Sequence, residues 1–213
     1  MNPAAKAPAE KTNSRADGYH AAARNLLRES LLEAAAALMN DSPWNEISMA
    51  AIAKRAGVSR QTLYNEFGSR DVFAQAFALR VADRFLTEIE DAFSDAAEDP
   101  TAALYAGFLS FLELAAADPM VKQIVVRDPG ADELLSLFTS RGGPVVELGR
   151  DRLSKRMLEI WPEGDADAAR ALAEVVVRLG ISHAGLPVDR PEQAARQVTD
   201  LLVPFIELHL PSN

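Results

Sequence analysis

The chain has 213 residues, 48% of them apolar, with a formal charge of −9; that is room for one large domain or for a small head on a larger body. The absence of cysteine excludes disulfides and thiolate metal sites, and the three histidines, His20, His183 and His209, lie too far apart in sequence to form a close ligand motif. No charge-free run approaches a membrane span (the apolar FLSFLELAAA is broken by Glu113) and no apolar signal core opens the chain, so a cytoplasmic protein without membrane contact is expected.

Residues 1–20 are rich in Ala, Pro and Lys and have no sustained apolar stripe. They are expected to form a mobile tail, whose Lys6, Lys11 and Arg15 either brush a polyanion or stay solvated. A helix is predicted from about Ala22 to Met39 on the stripe Leu27, Leu31, Leu32, Ala35, Leu38 and Met39, stopped by Asn40-Asp41-Ser42-Pro43. Trp44 is expected to pack the following loop, and Ser48 to cap the next helix.

The stretch Ile47–Gly68, ISMAAIAKRAGVSRQTLYNEFG, contains two short helical patterns separated by Ala56-Gly57-Val58-Ser59. Ile52 and Ala56 share a face of the first. Gly57 can take the left-handed conformation that closes a helix, and Val58 can return to a small core. Ser59 is placed to cap the second helix, which turns Leu63 and Phe67 inward and offers Arg60, Gln61, Tyr64 and Asn65 on the opposite face. This is the pattern of a helix-turn-helix with its second helix presented to a DNA major groove, although a helical hairpin packed for stability alone shows the same spacing. Charge favours the DNA reading. From Ile47 to Arg70, Lys54, Arg55, Arg60 and Arg70 stand against Glu66 alone, and residues 1–80 sum to +2 while residues 81–213 sum to −11.

Ser69 is predicted to cap a long helix to about Asp95 with the stripe Val72, Phe73, Ala76, Phe77, Val81, Phe85 and Ile89. Pro100 fits the first turn of the next helix, which Asp118-Pro119 ends. Short helical pieces at about 120–127 and 130–138 precede the break Ser140-Arg141-Gly142-Gly143. Helices at about 144–160, 165–184 and 191–209 complete the chain, the last with Pro204 inside it as a possible kink. The fold class is all-α.

With these elements in place, residues 24–73 resemble the N-terminal domain of the tetracycline-repressor-like (TetR) family. The resemblance rests on Leu31–Ala35, Ile47–Ser59, Thr62-Leu63-Tyr64, Phe67 and Ser69-Arg70-Asp71-Val72-Phe73. It implies a DNA-binding domain over 21–68 and an effector-binding and dimerisation body over 69–213. It also implies a homodimeric transcriptional regulator, usually a repressor released from a palindromic operator by a small ligand; an activator or ligand-independent regulator is the alternative. Helix 24–39 becomes the support, 48–56 the first arm and 60–66 the recognition helix. Ser48 stands where the family often has threonine, and Arg70 where it commonly has lysine.

Base reading is assigned to Arg60, Gln61 and Asn65, since Arg addresses guanine and a side-chain amide addresses adenine through paired hydrogen bonds. Phosphate contact is assigned to Ser48, Thr62, Tyr64 and Arg70. Glu66, unwelcome near phosphate, is expected to point away or to be paired.

In the body, Leu172, Val176 and Leu179 with Val198, Leu202 and Phe205 form two stripes; they are assigned to a dimer interface, although periodicity alone allows each to be buried within one chain. Tyr105, Phe108, Phe111, Met120, Val125 and Trp161, with Arg127 or His183 as a polar contact, are candidates for an apolar effector cavity, ordinary core packing being the competing role of each. No cofactor or metal is implied. Without a nucleophile elbow, phosphate loop or paired-carboxylate site, catalysis is not expected, and Glu88, Glu90 and Asp91 fit a solvated helical face. A helical protein-interaction module is the competitor from a different class.

Overall fold

A computed structural model describes residues 10–127 and 131–210. Ten α-helices follow in order: α1 (Glu10–Met39), α2 (Met49–Arg55), α3 (Arg60–Phe67), α4 (Arg70–Asp95), α5 (Pro100–Ala117), α6 (Pro119–Val125), α7 (Ala131–Ser136), α8 (Gly143–Ile160), α9 (Ala166–Gly185) and α10 (Pro191–His209). A single 3-10 turn, Trp44–Glu46, sits between α1 and α2, and there is no strand among the described residues. The all-α class is as expected.

Local chemistry sets the boundaries of the head. Ser48 Oγ accepts the Ala51 N–H at 3.1 Å, Ser59 Oγ the Thr62 N–H at 3.0 Å and Ser69 Oγ the Val72 N–H at 3.2 Å, so all three expected serine caps are made. Between α2 and α3, Gly57 has φ 73°, and the Val58 N–H reaches back to the Ala53 carbonyl at 2.9 Å. An L-residue with a β-carbon is strained at that φ, which is why glycine stands here. The main departure is in α1, which reaches back to Glu10, into the stretch expected to be a tail. Residues 10–21 have no apolar stripe to announce a helix; the remainder of the expected tail, 1–9, lies outside the described residues.

α4 is a 26-residue helix, about 39 Å long. Phe73, Phe77, Val81, Phe85 and Ile89 recur every four residues along its buried side. Its first half closes the head. Its second half enters the body, where it packs on α5 and α8. α5 is long and apolar enough by length and composition to cross a membrane, with mean hydropathy 1.3. The fold uses that apolarity in packing, because α5 touches α4, α9 and α10.

Two apolar clusters result. One runs from Leu31, Ile52, Leu63 and Phe67 in the head through Trp44, Phe73 and Phe77 to Met120, Ile124, Leu134 and Leu137 in the near end of the body. The other joins the far half of α4 to α5, α8, α9 and α10. The head is therefore not closed by its own helices; α6 and α7 complete its core. Polar contacts reinforce the junction. The Gln123 side chain of α6 bonds to the chain between Met39 and Trp44, Arg80 pairs with Glu29 at 3.0 Å, and Arg141 with Asp71 at 3.7 Å.

Candidate nucleic-acid interface and body cavity

α3 lies on the head with Leu63 and Phe67 buried and Arg60, Gln61 and Asn65 exposed. The side chains expected to read bases are held in contact with their neighbours on the helix. Gln61 Nε2 donates to Asn65 Oδ1 at 2.7 Å, and the Arg60 guanidinium sits 5.3 Å from the centre of the Tyr64 ring. Thr62 shares a 2.8 Å hydroxyl contact with Ser59. Five of the seven residues expected to meet DNA are thus on one helix. Ser48 is exposed at the start of α2, and Lys54 and Arg55 are exposed at its end with no ion pair to a described residue.

Arg70 differs from the others in being engaged within the protein. Its guanidinium lies 4.6 Å from the Trp44 ring, donates to the Trp44 and Ile47 carbonyls, and pairs with Glu133 of α7 at 3.5 Å. A fork of donors spent on these two carbonyls holds the loop before α2.

Glu66, the one acid of the segment, faces inward. Its carboxylate, 8% exposed, accepts from Arg24 Nε and from Arg28 at 2.8 Å each, while the Arg28 guanidinium covers Phe67 at 4.4 Å. Burial pushes this carboxyl up, but the hydrogen bonds from Arg28 and Arg24 outweigh it and hold Glu66 below its ordinary value. A carboxyl lowered by folding adds stability above its unfolded value, and that stability is lost as the pH falls through the folded one. Thermal melts from pH 7 downward should therefore show wild type losing, below about pH 4.5, an advantage over Glu66→Gln that it holds at neutrality. Parallel curves over that whole range would reject the clasp.

The body holds an apolar cavity of about 100 Å³ between α4, α5, α6, α7, α8 and α9. Every residue that lines it is aliphatic, aromatic or glycine, including Phe85, Ile89, Phe93, Val121, Ile124, Val176 and Ile181. Of the residues expected there, Phe108 and Phe111 are in its wall. Val125 and His183 line an adjoining cavity of about 220 Å³, which shares Val121 and Ala184 with the first and also holds Lys122 and Asp189.

The other expected lining residues are not in the wall of this cavity. Met120 is 2% exposed, packed in the core beside the head, and faces a separate cleft with Glu29 and Arg84. Trp161 is 2% exposed and gives its indole N–H to the Ala97 carbonyl at 3.0 Å. Tyr105 lies under Arg196, and Arg127 is exposed beyond the end of α6 with φ 54°. Periodicity missed the α4 and α9 walls because it cannot say what a stripe faces. A usable signal was the glycine inside each of three helical patterns. A β-carbon on Gly149 would stand 2.7 Å from Val177, one on Gly180 3.0 Å from Phe111, and one on Gly107 would collide with Phe93.

The expected dimer stripes also divide. Leu172, Val176 and Val198 are buried in the chain's own core, whereas Leu179, Leu202 and Phe205 are partly exposed. The heptad-like pattern of α9 marks the side that packs within the chain. On α9 and α10 the large apolar residues that remain outside are Val175, 44% exposed, Leu201, 81%, and Leu208, 76%.

Comparison with known proteins places this geometry. Residues 31–77 match the bacterial regulatory proteins of the tetR family, and residues 99–204 match the bacterial tetracyclin repressor C-terminal domain. The HTH-type transcriptional regulator AlkX of Mycobacterium tuberculosis (strain ATCC 25618 / H37Rv) is 35% identical over 191 residues, 90% of each chain. The chain belongs to the TetR family of transcriptional regulators. Among solved structures, the TetR-family repressor AlkX from Dietzia sp. strain DQ12-45-1b, implicated in biodegradation of n-alkanes, matches with TM-score 0.76 and 33% identity. That match covers 86% of this chain and 96% of the other. Thermus thermophilus FadR, in complex with lauroyl-CoA, shares the fold at TM-score 0.52 and 20% identity, over 83% of this chain and 93% of its own. In this TetR regulator the helix-turn-helix matches the family's N-terminal model, and the cavity lies in the part that matches the C-terminal one.

Proposed function

We propose that this TetR regulator is a homodimeric repressor that leaves a palindromic operator when a long apolar molecule enters the body. The observation that carries the reading is the cavity itself, whose wall includes no charged or hydrogen-bonding side chain and includes α4, the helix that also closes the head. Such a lining rewards hydrocarbon and penalises sugars or nucleotides, whose polar groups would be buried unpaired. Along α4 the lining runs from Ala82 to Phe93, about 16 Å, which suits a chain more than a compact ring. The n-alkane connection of the Dietzia repressor points to the same class. Exposed Val175, Leu201 and Leu208, with the partly exposed Leu179, Leu202 and Phe205, supply the apolar surface for the dimer.

A ligand that favours one separation of the two heads over another lowers operator affinity without touching α3. Footprinting on the promoter DNA beside its own gene should protect two related half-sites about one helical turn apart, with protection falling steeply as salt rises. A thermal-shift screen of alkanes, alkanols, fatty acids and hydrophobic drugs, paired with operator release, tests the ligand. A stoichiometric binder of the cavity with equal affinity for free and operator-bound dimer would sink the release reading.

Within the head, Gln61→Ala should relax base selection, with about 1–3 kcal/mol of discrimination lost at one position of each half-site. Tyr64→Phe should weaken all sites alike. Competition binding against a panel of single-base operator variants checks both. A uniform loss for Gln61→Ala would transfer that residue from base to backbone contact.

A further inference from the structure

α6 has seven residues and two occupations. Val121 and Ile124 are part of the cavity wall. Gln123, 8% exposed and turned about 100° from Ile124 around the helix, is engaged elsewhere. Its Oε1 accepts the Trp44 N–H at 2.9 Å, and its Nε2 donates to the Ser42 carbonyl at 3.2 Å and to that of Met39 at 3.4 Å. Those three backbone groups span the end of α1 and the turn that leads through Ile47 to Ser48, the cap of α2. A buried amide is costly unless its hydrogen bonds are made. Here all are made to a connector some eighty residues away in sequence, the one directly before the helix-turn-helix.

The walls of the cavity differ in how firmly they are held. α4 and α8 are stitched by Arg152, which reaches both Glu90 and Asp83, and α8 and α9 by Arg150 with Glu174 and Arg170 with Asp151. α6 is pinned at its N-terminus, where Asp118 caps it and pairs with Arg84, while its C-terminal end passes into Val126 and Arg127. The cavity, at about 100 Å³, is well below the ~300–1,000 Å³ of pockets that enclose drug-sized ligands. A long chain enters only by pushing a wall outward, and α6, a seven-residue helix tied beyond its N-terminus to the connector by Gln123, is the wall whose displacement that connector would feel.

We propose that Gln123 is the positioning residue that couples the cavity to the DNA-binding head: displacement of α6 is carried by its three hydrogen bonds to the Met39–Trp44 connector, which resets α2 and α3. The inference rests on the ligand-release reading and adds its route. The alternative route is α4 alone, whose Arg70 grips the same connector at the Trp44 and Ile47 carbonyls.

The test uses the full-length dimer, its operator and decanol as the probe. In wild type, saturating decanol should lower operator affinity by about tenfold or more. In Gln123→Met, which keeps the length of the side chain and removes both polar atoms, decanol should bind the free dimer within about threefold of wild type while operator affinity changes by less than about twofold on its addition. A thermal melt of the variant confirms that the head remains folded. Equal release in wild type and variant overturns the relay and assigns coupling to α4. A wild type that binds decanol and keeps its operator overturns the release reading and the relay with it. Hydrogen exchange of the Trp44 amide in the wild-type dimer gives an answer that does not depend on the variant. The relay requires its protection to persist when decanol binds, because the bond must stay made to carry the displacement, and lost protection overturns it.

Discussion

Val176→Glu is expected to unfold the chain, whereas Leu201→Glu is expected to leave it folded and monomeric. Both are valines or leucines on apolar helical stripes, yet Val176 is 7% exposed in the cavity wall and Leu201 is 81% exposed on α10. A carboxyl at Val176 meets only aliphatic and aromatic atoms. Its burial costs several kcal/mol, whether it ionises or is forced to stay protonated, and a domain has about 5–15 kcal/mol in total. At Leu201 the same group stays in water in the free chain and meets an apolar partner only on association. A central interface residue contributes about 2 kcal/mol or more, close to a 30-fold weaker dimer. Circular-dichroism melts and sedimentation velocity separate the outcomes. A folded, monomeric Val176→Glu would return that residue to the interface, and a dimeric Leu201→Glu would remove α10 from it.

Trp44→Ala should cost about 3–5 kcal/mol and abolish operator binding near the melting temperature of wild type. Trp44 is fully buried, stacks on Phe77 with ring centres 5.7 Å apart and planes 8° from parallel, and lies under the Arg70 guanidinium. Its removal opens a void at the point where α1, α4 and α6 meet and takes away the surface on which Arg70 rests. Denaturant unfolding monitored by far-UV circular dichroism gives the number. Trp44→Phe, which keeps an aromatic stack, should lose clearly less. A cost below about 1 kcal/mol for the alanine variant would mean that the site collapses around the gap.

The head was legible because its signals are local. Ser48, Ser59 and Ser69 cap helices that begin directly after them, and Gly57 turns the chain at its own φ. What was lost depended on distance. Arg70 looked free for phosphate because nothing in its neighbourhood reveals that Trp44 and Ile47, more than twenty positions earlier, offer it two carbonyls. Gln123 carried no sequence signal at all, since its partners are 79–84 residues away. The stripes of α9 and α10 were found correctly as stripes, but a helical period states only that a face is apolar. It could not say that Leu172, Val176 and Val198 pack within the chain while Leu201 and Leu208 stay outside. The cavity was half seen for the same reason: Phe108 and Phe111 stand out as aromatics, while Phe85 and Ile89 appear in the sequence only as members of the α4 stripe.

The shared core beneath the head bears on how such regulators can be recombined. A cut between Gly68 and Ser69 looks clean in sequence, yet it separates Trp44 and Ile52 from the Met120, Leu134 and Leu137 that finish their packing. A head transplanted onto a foreign body would arrive with an open apolar floor, and with an unpaired Trp44 amide wherever the new scaffold lacks a glutamine to receive it. Successful hybrids of this chain would have to carry α6 and α7 along with the reading helices, so that the exchangeable unit is discontinuous in sequence although contiguous in space.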